Sequence, residues 1–328
     1  MLIDCHNHIG ADLYFYLNGH YPYAQDLVSL TTEGARHGVD RWVVFPMVAH
    51  TWFDINAMRA GNLIPGGPEK VPYAFENERM LREIYQQFPD LGRRVIPFAM
   101  LDPMREPAAQ VAKLRELLRK FPFYGLKVQG TMTQAHITAL LEGSEGRCFI
   151  DFAREHNLPF LIHSSVIKTD PWSQAEDILR VAESAPDVRF CLAHSCRFDR
   201  VCLDRIAALP NTWFDCSAHR IHCKAAAAGM GFLAEPERRF ATDYNDPKTV
   251  LRDLAAAYPA KLIWGSDTPF QTFVAEEDTA GLISLRSTYE EEIDCVRALP
   301  HPVQTRVGCQ NLLDFLQLKN EQDILTRG

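Results

Sequence analysis

Short apolar runs recur along the chain, separated by polar or aromatic loops and by helical segments. Runs of this length are typical of buried parallel strands, and apolar residues three and four positions apart predict helices between them. The predicted strands cover residues 2–5, 41–48, 94–101, 124–131, 159–165, 189–195, 211–218 and 261–269. The predicted helices cover residues 25–37, 75–88, 107–120, 148–156, 173–184, 201–209 and 247–258, and a mostly helical segment runs from about 287 to 328.

Eight strands that alternate with helices predict an α/β fold, a single (β/α)8 TIM barrel over residues 1–328. An open, doubly wound sheet also alternates, but it seldom needs eight units. No Gly-x-Gly-x-x-Gly stretch follows a predicted strand, which argues against a dinucleotide-binding sheet. No low-complexity linker divides the chain, so we expect one domain.

Composition narrows the class of protein. A chain with 47% hydrophobic and 23% charged residues is typical of a soluble globular protein. The net charge of -8 argues against a nucleic-acid partner. We expect no membrane partner either, because the sequence shows neither an apolar stretch of about 18 residues nor a signal peptide. Nine cysteines without a Cys-x-x-Cys motif favour reduced thiols and a cytoplasmic location.

Polar residues at the strand ends supply the candidate chemistry, because the site of such a barrel forms at the carboxyl ends of its strands. The residues found there, on five strands, are His6, His8, Lys127, His163, His194 and Asp267. His6 and His8 are two positions apart and therefore point to the same side of a strand, where one metal ion can bind both. Each residue alone has an ordinary structural explanation, but six at one height favour a metal site.

Six stretches carry a family resemblance. They are I-D-C-H-N-H at 3–8, G-L-K-V-Q at 125–129, E-H-N-L-P-F-L-I-H ending at His163, L-A-H-S at 192–195, W-G-S-D-T-P at 264–269 and V-G-C-Q-N-L-L-D-F at 307–315. Together they resemble the amidohydrolase superfamily. Within it, the chain is most similar to the amidohydrolase-related branch that includes decarboxylases of the aminocarboxymuconate-semialdehyde type, lactonases and hydrolases.

The resemblance implies a metal-dependent enzyme of the hydrolase type. The ligands that it implies for one divalent ion, with zinc expected, are His6, His8, His163 and Asp267. Imidazoles and a carboxylate suit zinc, manganese or iron better than calcium or magnesium. The resemblance also implies three catalytic residues, Asp267, His194 and Lys127. Asp267 would accept a proton from a metal-activated water, and His194 would act as an acid, a base or an electrophile.

Lys127 has two interpretations. A carboxylated Lys127 would bridge two metal ions, as in the binuclear members of the superfamily. A free amine would instead stabilise an oxyanion or hold a substrate carboxylate. We favour one metal ion per chain.

The substrate contacts are less clearly indicated. Arg197 and Arg220 are candidates for binding an anionic group, and Trp52 and Tyr14 are candidates for lining an apolar site. We expect hydrolysis of an amide, ester or lactone bond in a small-molecule substrate. The alternatives are nonoxidative decarboxylation of an aromatic or unsaturated carboxylic acid, and a catalytically idle metal-binding scaffold. The sequence leaves open whether the chain forms a homo-oligomer.

Overall fold

A computed structural model describes residues 1–277 and 281–318. Its main sheet has nine strands in the order β2-β1-β3-β4-β5-β6-β7-β8-β9, all parallel except the short β2. These strands are β1 Ile3–Ala11, β2 Ala24–Gln25, β3 Arg41–Pro46, β4 Val95–Leu101, β5 Gly125–Val128, β6 Phe160–Ile162, β7 Phe190–Leu192, β8 Thr212–Asp215 and β9 Leu262–Ile263. A separate hairpin consists of β10 Val274–Glu277 and β11 Gly281–Ser284.

The sheet closes into a barrel because β1 meets the segment that follows β9. Cys5 N donates to Trp264 O at 3.2 Å, and His8 N donates to Thr268 O at 2.7 Å. Gly265 permits this approach, since a Cβ atom there would lie 2.8 Å from His6 Cβ. The eight parallel strands β1 and β3–β9 confirm the predicted (β/α)8 barrel.

Helices follow the strands in the predicted alternation, and most of them cover the outside of the barrel. They are α1 Leu13–Leu17, α2 Leu27–Arg36, α3 Ile55–Arg59, α4 Ala74–Arg82, α5 Pro89–Gly92, α6 Pro107–Leu118, α7 Gly130–Thr133, α8 Arg147–His156, α9 Ala175–Ser184, α10 Arg200–Ala208, α11 His219–Ala227, α12 Pro247–Ala257, α13 Tyr289–Arg297, α14 His301–Thr305 and α15 Asn311–Leu316. Side-chain caps fix several of their starts. Asp26 accepts from Ser29 N at α2, and Thr288 forms a capping box with Glu291 at α13.

The structure differs from the predicted elements in three respects. β1 extends over nine residues, so that His6 and His8 lie within the strand rather than after it. The elements that were not predicted are the β10–β11 hairpin, strand β2 and helices α1, α3, α5, α7 and α11. The predicted C-terminal helical segment is helical in α13, α14 and α15, and its residues 319–328 lie outside the described residues.

Alternation along the strands separates two layers of core. On β3, Trp42 and Val44 pack towards the helices, whereas Val43 and Phe45 fill the barrel interior. Helix α15 closes the end of the barrel at which the strands begin, with Phe315 packed 5.6 Å from the ring of Trp213. The candidate functional site lies at the opposite end, where the strands finish. Within the described residues, none of the helices combines the length and hydrophobicity that a membrane span requires.

Candidate active site

Three side chains converge where β1 meets the segment after β9. His6 Nε2 lies 3.3 Å from Asp267 Oδ1, and His8 Nε2 lies 3.7 Å from the same oxygen. One ligand atom from each residue falls within 4.8 Å of the other two, and all three residues are buried. Asp267 N donates to His6 O at 2.9 Å, which joins the two segments at the ligands themselves. These residues are three of the four metal ligands that the family resemblance implied.

The outer nitrogen of each histidine is held by an acceptor. His6 Nδ1 lies 2.9 Å from Asp215 Oδ2, and His8 Nδ1 lies 2.9 Å from Pro46 O. These acceptors assign the proton to Nδ1, so the Nε2 lone pair faces Asp267. Neutral imidazoles oriented in this way, beside a carboxylate, are the donor set that a divalent transition metal requires. The three residues therefore fit a metal ion.

Asp215, at the end of β8, was missed by the sequence analysis. Its Oδ1 accepts from His194 N at 3.0 Å and from Ser217 N at 2.9 Å, while Oδ2 faces His6. Burial alone would raise the pKa of Asp215, but the His6 imidazole and these hydrogen bonds lower it to about 2. An acid directly after the apolar pair Trp213 and Phe214 was the available signal, the same one that singled out the other strand ends.

Lys127 lies beside the three converging side chains. Its Nζ is 3.2 Å from His6 Nε2 and 4.7 Å from the centre of the Phe45 ring, and the side chain is fully buried. Among the described residues, no carboxylate oxygen lies within the 4.0 Å of an ion pair with Lys127. Burial lowers the pKa of Lys127 and raises that of Asp267.

His163 and His194 lie together just after the ends of the neighbouring strands β6 and β7. His194 Nδ1 is 4.0 Å from Asp267 Oδ2, which places His194 at the edge of the converging group. His163 Nδ1 lies 2.9 Å from His194 Nε2, and His163 Nε2 lies 3.1 Å from Arg197 Nη2. The structure thus brings His163 to the site but outside the group formed by His6, His8 and Asp267. That His163 binds metal remains a prediction.

A left-handed turn follows β7. All five residues from His194 to Phe198 have positive φ angles, between 46° and 64°. Each such non-glycine residue costs about 1–2 kcal/mol, so the surrounding structure must hold the turn. Backbone hydrogen bonds from Ala234 N to Arg197 O (3.1 Å) and from Phe240 N to Phe198 O (2.8 Å) contribute. The turn directs Arg197 back into the site beside His194.

A cavity of about 500 Å³ opens in front of these residues. Its walls are mostly apolar, and include Phe15, Met132, Phe232, Phe270, Phe273 and Leu285. Its polar lining includes His6, His8, Lys127, His163, His194, Arg197, His222 and Asp267. The volume suits a small organic molecule.

Of the four predicted substrate contacts, the structure brings Arg197 to this cavity. The other three are not part of its described lining. Arg220 Nη2 donates to Glu291 at 3.1 Å, the Trp52 ring packs against the Arg105 guanidinium, and Tyr14 stacks on His20. From the first loop it is Phe15, the neighbour of Tyr14, that lines the cavity.

Solved structures with the same fold cover almost the whole chain. An amidohydrolase from Burkholderia multivorans with bound zinc is 14% identical, with a TM-score of 0.64 over 97% of this chain and 99% of that one. A dihydroxybenzoic acid decarboxylase from a Polaromonas species, with bound manganese and the inhibitor 2-nitroresorcinol, is 12% identical, with a TM-score of 0.61 over 97% of each chain.

A probable 2-pyrone-4,6-dicarboxylic acid hydrolase from Acinetobacter baumannii, with citric acid bound, is 16% identical, with a TM-score of 0.57 over 97% of this chain and 99% of that one. At these identities the likeness establishes the fold. No match was found among curated proteins by sequence.

Membership of a family is established by sequence over most of the chain. The family model described as Amidohydrolase matches residues 3–311, from the start of β1 into α15. The match spans every strand of the barrel and all the side chains that converge at the site. The chain belongs to the amidohydrolase family of enzymes.

Proposed function

We propose that this protein is a metal-dependent hydrolase that cleaves an amide, ester or lactone bond of a small organic substrate, with one zinc ion per chain. The observation that carries the proposal is the position of the Asp267 carboxylate. Its Oδ1 faces the Nε2 atoms of His6 and His8, while Oδ2 lies 4.0 Å from His194 Nδ1. One carboxylate can therefore contact a metal ion and still accept a proton.

The residues divide the chemistry between them. A divalent ion bound at His6, His8 and Asp267 would supply Lewis-acid activation of water or of a substrate carbonyl. Asp267 accepts the proton that water releases. His194, beside Asp267, acts as an electrophile that polarises the substrate. The apolar walls exclude bulk water and hold the substrate body. Zinc and manganese in the similar Burkholderia and Polaromonas structures support a divalent metal here.

Substitution of Asp267 tests the hydrolase directly. Asp267→Asn keeps the size of the side chain but removes the base, so the rate on any substrate should fall by roughly a hundredfold or more. The assay is a panel of small lactones, esters and amides, with acid release followed at constant pH. Asp243→Asn, on an exposed loop, is the control and should keep the wild-type rate. An Asp267→Asn variant as active as the wild type would refute the proposed role.

The number of metal ions per chain tests the role of Lys127. We expect elemental analysis to find about one zinc ion in the wild type and in Lys127→Ala alike, because His6, His8 and Asp267 supply the ligands. Lys127→Ala should lower activity while leaving the metal content unchanged. About two ions in the wild type, falling to one or none in Lys127→Ala, would instead show a carboxylated, bridging lysine. No metal under any loading condition would refute the metal-dependent proposal.

A decarboxylase is the second candidate, favoured by the charges in the cavity. Lys127 and Arg197 both line it, and in the described part of the chain neither has a carboxylate oxygen within 4.0 Å. Two such cations in an apolar cavity favour a substrate that carries a carboxylate. Incubation with aromatic and unsaturated carboxylic acids, with carbon dioxide release measured, separates this activity from hydrolysis. Carbon dioxide release without any hydrolysis in the panel would select the decarboxylase.

A further inference from the structure

Gln129 stands beside Lys127 on the wall of the cavity in front of the candidate active site. Strand β5 ends at Val128, and the side chains of Lys127 and Gln129 both line the cavity. Residues two positions apart on a strand point to the same side. Leu126 and Val128, which alternate with Lys127, pack instead in the core beneath the helices. Gln129 is therefore the next cavity-facing position after Lys127.

A hydrogen bond to the backbone fixes the orientation of the Gln129 amide. Its Oε1 accepts from Met132 N at 3.0 Å, at the start of helix α7, and its own carbonyl oxygen accepts from Thr133 Oγ1 at 2.8 Å. A backbone N–H only donates, so the amide atom that faces Met132 N must be the oxygen. The other amide atom is then Nε2, which carries two hydrogens to donate.

The Nε2 atom of Gln129 has no partner from the protein. Gln129 is only 7% exposed, yet none of the described residues accepts a hydrogen bond from its Nε2. Gln110 Nε2 and Gln174 Nε2, by contrast, each donate to two backbone carbonyl oxygens. The Gln129 nitrogen is also not sealed from solvent, as the unpartnered Oε1 of Gln271 is. Because Gln129 lines the cavity, its two N–H donors are open to a molecule bound there.

The cavity positions on either side of Gln129 favour a ligand that accepts hydrogen bonds. Lys127, two positions earlier, presents the donors of its amino group. Thr131, two positions later, also lines the cavity, but its hydroxyl faces Asp170 Oδ2 at 2.7 Å, and Asp170 is not part of the described lining. A carbonyl or carboxylate oxygen can pair with these donors, whereas an ammonium group cannot.

We propose that Gln129 is a specificity-determining residue, whose amide N–H groups bind a carbonyl or carboxylate oxygen of the substrate. The identification of the ligand as the substrate rests on the proposed function. An acceptor oxygen satisfies the unpaired N–H groups, whereas a ligand with only donors leaves them unpaired in a largely apolar cavity. Gln129 therefore selects oxygen acceptors over cationic donors.

Binding of small aromatic probes to the protein as purified tests this role, with a ligand-observed NMR titration for each dissociation constant. The probes are benzoate, acetophenone, benzylamine and toluene, which present a carboxylate, a neutral carbonyl, an ammonium group and no polar group. We expect Gln129→Met to bind benzoate and acetophenone about tenfold more weakly than the wild type, because methionine has the size of glutamine but donates no hydrogen bond. Toluene binding should stay within about twofold. A loss confined to benzoate would assign the site to a carboxylate, and one confined to acetophenone would assign it to a neutral carbonyl.

Gln129→Glu tests the direction of the hydrogen bond and keeps the helix cap. One glutamate oxygen can still accept from Met132 N, and the other replaces the donor by an acceptor. We expect benzoate binding to fall about tenfold or more and benzylamine binding to rise, so that the preference between these two probes reverses. Gln134→Glu adds the same charge at the exposed C-terminal cap of α7 and should keep the wild-type preference.

Equal affinities of the wild type and Gln129→Met for benzoate and acetophenone would overturn the proposal, and so would wild-type protein that binds neither of them. Failure of the proposed function gives a different result. Protein that hydrolyses nothing in the substrate panel but binds the probes through Gln129 would refute the hydrolase and retain the binding role. Hydrolysis together with affinities that do not depend on Gln129 would do the opposite.

Discussion

Asp215 acts on the candidate metal centre through His6. Its carboxylate, 2.9 Å from His6 Nδ1, orients the ring and makes it a better electron donor at Nε2. We expect Asp215→Asn to weaken zinc binding by about 10- to 100-fold, since a neutral amide accepts the His6 proton less strongly. Competition with a chelator of known affinity measures the change.

Asp187→Asn serves as the control for Asp215→Asn. Asp187 is an exposed acid paired with Arg154, and its substitution should leave zinc binding unchanged. Unchanged zinc affinity in Asp215→Asn would mean that Asp215 has a purely structural role.

At the scale of residues, sequence reasoning found most side chains of the site and could not orient them. His6, His8, Lys127 and Asp267 stand at strand ends, and the closure of the barrel brings them together. The position of Arg197 is a different matter. The left-handed turn after β7 points Arg197 into the site, and no periodicity in the sequence predicts five consecutive positive φ angles.

At the scale of elements, helices α11 and α13 meet at a buried acid. Glu292 Oε1 accepts from Arg220 N at 3.2 Å, and burial raises the pKa of Glu292 to about 8. The folded state therefore keeps a proton that the unfolded chain, with a pKa near 4.5, releases. The stability contributed by the protonated form is fully present below about pH 4.5 and is lost as the pH rises through about 8.

The isosteric variant Glu292→Gln removes this titration and keeps the acceptor. Between about pH 6 and pH 9, we expect the wild type to lose on the order of 1–4 kcal/mol more of its free energy of unfolding than the variant does. Urea unfolding at each pH measures the difference. Glu290→Gln, in the same helical turn but exposed, should follow the wild type. Parallel curves for Glu292→Gln and the wild type would contradict the prediction.

The same elements show where sequence patterns stop being informative. The strands that form the barrel could be predicted because strands buried on both faces have continuous apolar sequences. Helix α11 mixes histidine, arginine and lysine with alanine, and its buried face is defined only by what packs on it. The β10–β11 hairpin has four residues in each strand and pairs outside the barrel sheet, so it leaves little periodicity to detect.

At the scale of the whole molecule, the packing around helix α15 and the candidate active site lie at opposite ends of the barrel. Helix α15 closes the end opposite the site, where Phe315 is fully buried. We expect Phe315→Ala to lower the free energy of unfolding by about 3–5 kcal/mol through the cavity that it leaves. Zinc affinity and the rate per folded molecule should stay close to wild type, because the candidate catalytic residues lie at the other end of the strands.

Urea unfolding and zinc titration at low denaturant measure the two effects of Phe315→Ala. Asp314→Ala changes an exposed residue of the same helix and should leave both quantities nearly unchanged. A loss of zinc binding in fully folded Phe315→Ala protein would show that the two ends of the barrel are coupled.

The closure of the barrel by its first and last strands also decides when the metal centre can exist. The hydrogen bond from Ser266 N to Asp4 joins residues 262 positions apart, immediately beside His6 and Asp267. During translation, His6 and His8 leave the ribosome long before Asp267 has been synthesised. A nascent or truncated chain that ends after β8 contains His6 and His8 but lacks Asp267, the carboxylate that both imidazoles face. We therefore expect a metal ion to bind at His6, His8 and Asp267 only after synthesis has passed Asp267.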